Sequence, residues 1–202
     1  MDLAYFGAKV IHFKMVEPAM VADIPVRVLN TFNPSSKGTL IVRKQKTVRE
    51  VIKAVSAGTD VVVVNLAGVG MAGTPNIAGK IFSALGESKI NILMISGSSE
   101  SNISFVISRK DAEKAVSILK SRFHGNGVRG IDVIDSVAVV TVVGAGMAGT
   151  KGIASKVFKT IADAGVNIIM IAQGSSEVNI TFVVREKDVE KAIKALHKRF
   201  IE

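Results

Sequence analysis

One unit is written twice in this chain. The stretch GVGMAGTPNIAGKIFSALGESKINILMISGSSESNISFVISRKDAEKAV aligns with GAGMAGTKGIASKVFKTIADAGVNIIMIAQGSSEVNITFVVREKDVEKAI, so that Gly70 corresponds to Gly146, Asn91 to Asn167 and Phe105 to Phe182. The offset is 76 residues at first and 77 afterwards; it changes between the pairs Ile95/Ile171 and Glu100/Glu177, where one copy has lost or gained a residue. Two copies of one sequence imply two copies of one supersecondary unit, packed together.

Each copy opens on a β-branched run, DVVVVNLAG from Asp60 and SVAVVTVVG from Ser136, which predicts a buried strand ended by a glycine turn. In the first copy Thr74 and Pro75 offer an N-cap and a first-turn proline to a helix whose apolar face is Ile77, Ile81, Phe82 and Leu85. Ile153, Val157, Phe158 and Ile161 repeat that face in the second. A strand follows (NILMIS, NIIMIA), then a Gly-Ser-Ser-Glu connection into another (NISFVIS, NITFVVR), short enough to demand an antiparallel hairpin. A second helix has core positions Ala115, Val116 and Leu119, or Ala192, Ile193 and Leu196.

The unit reads βαββα and needs a fourth strand to complete an α+β, ferredoxin-like βαββαβ sandwich. RGIDVID supplies it to the first copy, whereas the sequence given ends at Glu202, directly after the last helix of the second. Residues VIKAVSAG precede the first copy as RGIDVIDS precedes the second, with Val55 matching Ile131. Arg49 to Ala57 is therefore expected to close the second module, making the first an insertion within it.

An apolar content of 48% suffices for two small cores. No apolar run approaches the ~18 residues of a membrane span, and the opening MDLAYFGAKVIH lacks the order of a signal peptide, so a cytoplasmic protein without membrane partners is expected. The absence of cysteine removes disulfides, thiol nucleophiles and zinc-thiolate sites together. Of the net charge of +9, five units fall within residues 1–58, outside the repeat; the rest sits in sign-alternating stretches such as Glu186, Lys187, Asp188 and Glu190, Lys191. These read as solvated helix faces, and no nucleic-acid partner is expected.

Both glycine turns spell GxGxxG: Gly68, Gly70, Gly73 and Gly144, Gly146, Gly149. Bare backbone beside a helix start suits a carboxylate or phosphate, although tight turns alone also select glycine. A dinucleotide fold would need an acidic residue at the end of the second strand, where Ser96 and Gln173 stand, and a crossover where a hairpin is expected. The lysine-serine ending of a P-loop is missing. An RNA-recognition sheet would need stacking aromatics, yet the central strands offer only Phe105 and Phe182, which read as core. His12, His124 and His197 are scattered without metal-ligand spacing; Glu100 and Glu177 read as hairpin polar contacts. No catalytic residue and no metal site are assigned.

GxGMxGTxxIAxKxF followed by VNIxMIxQGSSExNIxFVV resembles the paired ACT modules of aspartate kinases, over residues 50 to 202. The preceding AYFGAKVIHFKMVEPAMVADIPVRVLNTFNPSSKGTLI is similar to the last segment of that family's catalytic domain, with Tyr5-Phe6-Gly7-Ala8-Lys9 to His12, Ile24-Pro25, Asn30-Thr31-Phe32 and Gly38-Thr39 in the family's order. The resemblance implies a kinase remnant over residues 1–45, a first ACT domain over 59–135, and a second formed by 46–58 with 136–202. The family's Lys-Phe-Gly-Gly-Thr motif and its aspartate and ATP loops would lie upstream of Met1. The chain is thus expected to be inactive alone and to carry no cofactor, ATP and Mg belonging to the absent catalytic region.

In the family such modules bind an end product, lysine or threonine, at the junction of paired modules, giving feedback inhibition of aspartate phosphorylation in lysine, threonine and methionine biosynthesis. Carried over, this implicates Gly70, Met71, Ala72, Gly73 and Thr74 with Asn91, Ile92 and Ser96, and Gly146, Met147, Ala148, Gly149 and Thr150 with Asn167, Ile168 and Gln173. Glutamine in the Ile-Ala-Gln-Gly-Ser-Ser-Glu context resembles the threonine-responsive branch, which places threonine first and lysine second. The first copy, ISGSSE, is one residue shorter and leaves Gln173 without a partner. A homodimer through the ACT domains and a kinase catalytic chain are the expected partners; an assembly module that binds nothing is the alternative.

Overall fold

The computed structural model describes residues 11, 13–43, 51–68, 76–99, 101–123 and 128–202. Helix α1 (Phe13–Val21) and a two-stranded ribbon, β1 (Val26–Val28) and β2 (Thr39–Ile41), precede the repeat. Then come β3 (Ala54–Ala67), α2 (Ile77–Glu87), β4 (Ile92–Ser99), β5 (Asn102–Ser108), α3 (Ala112–Phe123) and β6 (Gly130–Val143). The second copy continues with α4 (Ile153–Asp163), β7 (Met170–Ala172), β8 (Asn179–Arg185) and α5 (Val189–Phe200).

The repeat builds one antiparallel sheet of six strands in the order β4-β5-β3-β6-β8-β7. Its centre is the pair β3 and β6, each 14 residues long, equivalent at the 76-residue offset and paired with one another. Each serves both copies. Val61–Ala67 pairs with β5 on one side and the start of β6 on the other, which completes the first ferredoxin-like unit. Ala54–Gly58 lies against Val139–Val143, beside β8 and β7, and gives the second copy its fourth strand. Ile52 is buried in the second core, with Val51, Val55 and Ala57 packed against it. Arg49 and Glu50, the start of the segment expected there, lie outside the described residues.

Where each long strand passes from one copy to the other, a residue takes the left-handed conformation: Asp60 at φ 65° and its equivalent Ser136 at φ 54°. The ladder shifts register beside them, between Gly58 and Val61 and between Val61 and Val63. Such irregularities sharpen bend and twist, and the helix-free faces of the two halves close on one another. Val61, Val63, Met94 and Val106 pack there with Val137, Val139, Met170 and Val183, residue for residue the equivalents of the first four. β4 and β7, at opposite ends of the strand order, come into contact.

Arg109 pins this crossing. Its guanidinium meets Asp60 at 3.4 Å, Asp135 at 2.6 Å and Glu186 at 3.3 Å, and Glu186 is its own equivalent in the second copy. All four side chains are at least a third exposed, so solvent screens the attraction. Arg109→Ala is expected to cost about 1 kcal/mol in urea unfolding and visibly less in high salt.

The other face of each half carries a helical layer. Val62, Val64, Leu66, Phe105 and Ile107 pack with Ile81, Ala84, Leu85, Ala115, Leu119 and Phe123; Val140, Val142, Ile180, Phe182 and Val184 pack with Val157, Ile161, Ala192 and Leu196. Phe105 and Phe182 are fully buried, each edge-on to a helix phenylalanine, Phe82 or Phe158, with centroids 6.2 Å apart. No base can stack on them. Helix α2 begins at Ile77, after Asn76 in the left-handed region at φ 64°; Thr74 and Pro75, the expected cap and first-turn proline, lie outside the described residues. One detail of the reading changes. Val116 and Ile193 sit at the margin of their cores, since Ala115 with Leu119, and Ala192 with Leu196, already fill the inward face. Among the described residues, no helix is long and apolar enough to cross a membrane.

Candidate functional site

The two glycine loops leave the sheet in the same way. The Gly68 N–H donates to the Ser101 carbonyl and the Gly144 N–H to the Val178 carbonyl, both at 2.9 Å. Residues 69–75 lie outside the described residues, and with them Gly70, Met71, Ala72, Gly73 and Thr74; so do Glu100, His12 and His124. The second loop is complete. Residues Ala145–Met147 form a short 3-10 turn, the Thr150 hydroxyl donates to the Gly146 carbonyl at 2.6 Å, and Gly149 (φ 70°) and Gly152 (φ 82°) adopt the conformation that glycine tolerates best. α4 begins at Ile153, and Gly152 can offer no side-chain cap.

A cavity of about 330 Å³ opens at that helix start. Met147, Gly149, Thr150 and Gln173, four of the eight residues expected in the second site, line it with Lys151, Gly152, Ile153, Ala154 and Glu177. Met147 is buried and joins the cavity to the core below. Gly146 and Ala148 are exposed on the same loop without lining it, and Asn167 is exposed elsewhere. The Gly149 N–H donates to the Glu177 carboxylate, at 2.7 Å.

Glu177 reaches the loop from the longer connection of the second copy. In the first copy β4 runs on to Ser99, which pairs with Asn102, so the hairpin closes tightly. In the second, β7 ends at Ala172 and residues 173–178 form an open connection, turned by a Gly174–Glu177 hydrogen bond of 3.0 Å with Glu177 at φ 55°. That connection carries both Gln173 and Glu177 to the loop. Sequence reasoning found the insertion and the glutamine but read Glu177 as a hairpin contact.

A second cavity, about 440 Å³, lies between the halves. It brings together Ser96 and Ile168, residues expected in different sites, with Asn65, Ser104, Ile134 and Ile169–Ile171. The Ser104 hydroxyl donates to Asn65 Oδ1 at 2.9 Å; the equivalent pair in the other half, Thr141 and Thr181, is closed away in the interior with its oxygens 3.2 Å apart. Ile92 is half-buried at the start of β4 and Asn91 exposed before it, neither lining this cavity. His197 is exposed at the end of α5, with Nδ1 3.3 Å from Glu202. Among the described residues, no three His, Cys, Asp or Glu side chains cluster as metal ligands would.

The ACT domain family model matches residues 64–123 and 140–200. The bifunctional aspartokinase/homoserine dehydrogenase 1, chloroplastic, of Arabidopsis thaliana is 37% identical over 209 residues, covering 98% of this chain and 23% of that one. The chain thus spans about a quarter of the length of such relatives. Among solved structures, the aspartate kinase of Clostridium acetobutylicum superposes with a TM-score of 0.89 at 31% identity, covering 98% of this chain and 46% of that one. The ligand-free regulatory subunit of aspartate kinase from Thermus thermophilus gives 0.66 at 30% identity, covering 75% of this chain and 99% of that one. With the duplicated ferredoxin-like units and the family match in each, these likenesses make the chain a member of the ACT-domain family, of the tandem kind that forms the regulatory region of aspartate kinases.

Proposed function

We propose that this region senses a free amino acid, threonine in the first place and lysine in the second, and thereby controls aspartate phosphorylation by a kinase catalytic lobe or chain. One observation carries the reading: the cavity at the start of α4 gathers the Gly149 backbone N–H, the cation Lys151, the amide of Gln173 and an apolar floor at Met147 and Ile153. A helix start and a cation suit an α-carboxylate, and an amide able both to donate and to accept suits a hydroxyl or amine. Isothermal titration of the chain with threonine, lysine, methionine and isoleucine is the test. Gln173→Ala is expected to weaken threonine binding by about 1–3 kcal/mol, about fivefold to over a hundredfold. An unchanged titration removes that residue from the site.

The exposed apolar residues support the proposed partners. Met15, Val21, Ile24, Leu29 and Phe32 are exposed in the segment before β3, Phe32 almost wholly so at 97%. About a quarter of this chain has no counterpart in the Thermus regulatory subunit, whereas nearly all of it has one in the Clostridium kinase. Both facts favour a kinase lobe as what covers residues 1–45. The equivalent residues Ile95 and Ile171, 47% and 43% exposed on the end strands β4 and β7, favour pairing between copies of the chain. Binding at several coupled sites in such a dimer supplies the roughly 5.5 kcal/mol needed to move a two-state equilibrium from 1:99 to 99:1. The competing reading, an assembly module that binds nothing, draws on the Glu177 hydrogen bond that already occupies the loop. The same titrations separate the two.

A further inference from the structure

The Gly149 N–H is where the amino-acid reading puts the ligand carboxylate, and a carboxylate of the protein stands there already. Glu177 Oε2 accepts from it at 2.7 Å, inside the cavity that Gln173 and Lys151 also line. The contact joins residues 28 apart, so the loop and the hairpin are held together by it. It lies in the longer connection of the second copy, where residues 173–178 stay out of the ladder and Glu177 itself takes a left-handed turn. Glu177 is exposed, and no other hydrogen bond from its carboxylate is seen among the described residues. Its side chain can therefore swing into water without stranding a buried partner.

Resting on the amino-acid reading above, we infer that Glu177 is a built-in competitor: it fills the carboxylate position of the second glycine loop when the site is empty, and an incoming amino acid must displace it. The occupancy shows that the mouth accepts a carboxylate, and it sets a threshold, since a ligand carboxylate must replace a charge-assisted hydrogen bond before gaining its own. Binding releases the hairpin from the loop, so the site reports through the turn that carries Gln173. An amino acid is favoured over its uncharged-end derivatives only to the extent that its carboxylate outcompetes Glu177.

The test compares wild type with Glu177→Asn, a residue that tolerates the left-handed turn but is too short and uncharged to hold the Gly149 N–H. L-threonine is expected to bind the variant about tenfold more tightly. L-threonine amide, which has no carboxylate to compete, is expected to bind both proteins alike. Hydrogen exchange at Gly149 is expected to quicken in the variant without ligand. Glu177→Gln, which keeps the length and loses the charge, should shift threonine affinity the same way by less, and serves if the asparagine variant does not fold. Equal or weaker threonine binding by the variants, beside measurable binding by wild type, overturns the competitor while leaving the sensor standing. Silence from threonine and lysine in wild type and both variants takes down the sensor and the competitor with it.

Discussion

Gly144→Ala is expected to destabilise the chain by about 3 kcal/mol, at the upper end of what overpacking costs. A methyl group at Gly144 would stand 2.0 Å from the Val51 carbonyl oxygen and 2.8 Å from Ile52 Cα. Both are backbone atoms, which cannot turn aside as a side chain does. The backbone at Gly144 is extended, at φ −176°, so any residue could adopt it and the penalty is wholly steric. Relief requires residues 51–52 to move outward, yet Ile52 is 2% exposed in the second core and the Lys53 N–H donates to the Val143 carbonyl at 2.8 Å. The urea midpoint should fall, and amides of residues 54–58 should lose exchange protection before those of 61–67. Unaltered stability would mean that the strand beside Val139–Val143 is placed differently.

Phe182→Ala is expected to cost about 3–5 kcal/mol, against total stabilities of about 5–15 kcal/mol for typical domains. Phe182 is fully buried between β8 and the helices, and Phe158 meets its ring edge at an interplanar angle of 75°. Truncation leaves a void in the core that also holds Val157, Ile161, Ala192 and Leu196, branched or small side chains on two helices that have little freedom to collapse inward. Phe182→Leu keeps most of the volume and should lose about 1.5 kcal/mol or less. Thermal unfolding of both variants checks the pair. A mild loss for alanine would place the ring near water, the condition that a base-stacking role requires.

Much of this was legible in the sequence because duplication supplies its own control. Val61–Val64 and Val137–Val140 could each be a helix segment or a strand on pattern alone; seen twice, with the same glycine turn and the same helical face after it, they admit one order of elements. The match of Val55 with Ile131 pointed to the segment that runs beside Val139–Val143. The site was harder. Gln173 could be picked out by the insertion beside it, but which groups meet in one cavity depends on where a loop turns in space. Gly146 and Ala148 alternate with Met147 and Gly149 along the same turn, and of these four only the latter two line the cavity. Glu177 looked like a surface partner because its equivalent Glu100 carries the same identity. What separates the two hairpins is one residue of chain length, which the eye reads as a gap and the backbone turns into a reach across the cavity mouth.

The long strands β3 and β6 each begin in one half and finish in the other, and this bears on how such a protein can be divided. The second half has no uninterrupted stretch of gene to itself: Ala54–Gly58 comes before the first half, and Val137 onward comes after it. A cut between Val61 and Ile134 breaks the first half and parts Ala54–Gly58 from the rest of the second. Parts exchanged between relatives are therefore best taken as loops and hairpins in place, with the shared pair of strands left intact.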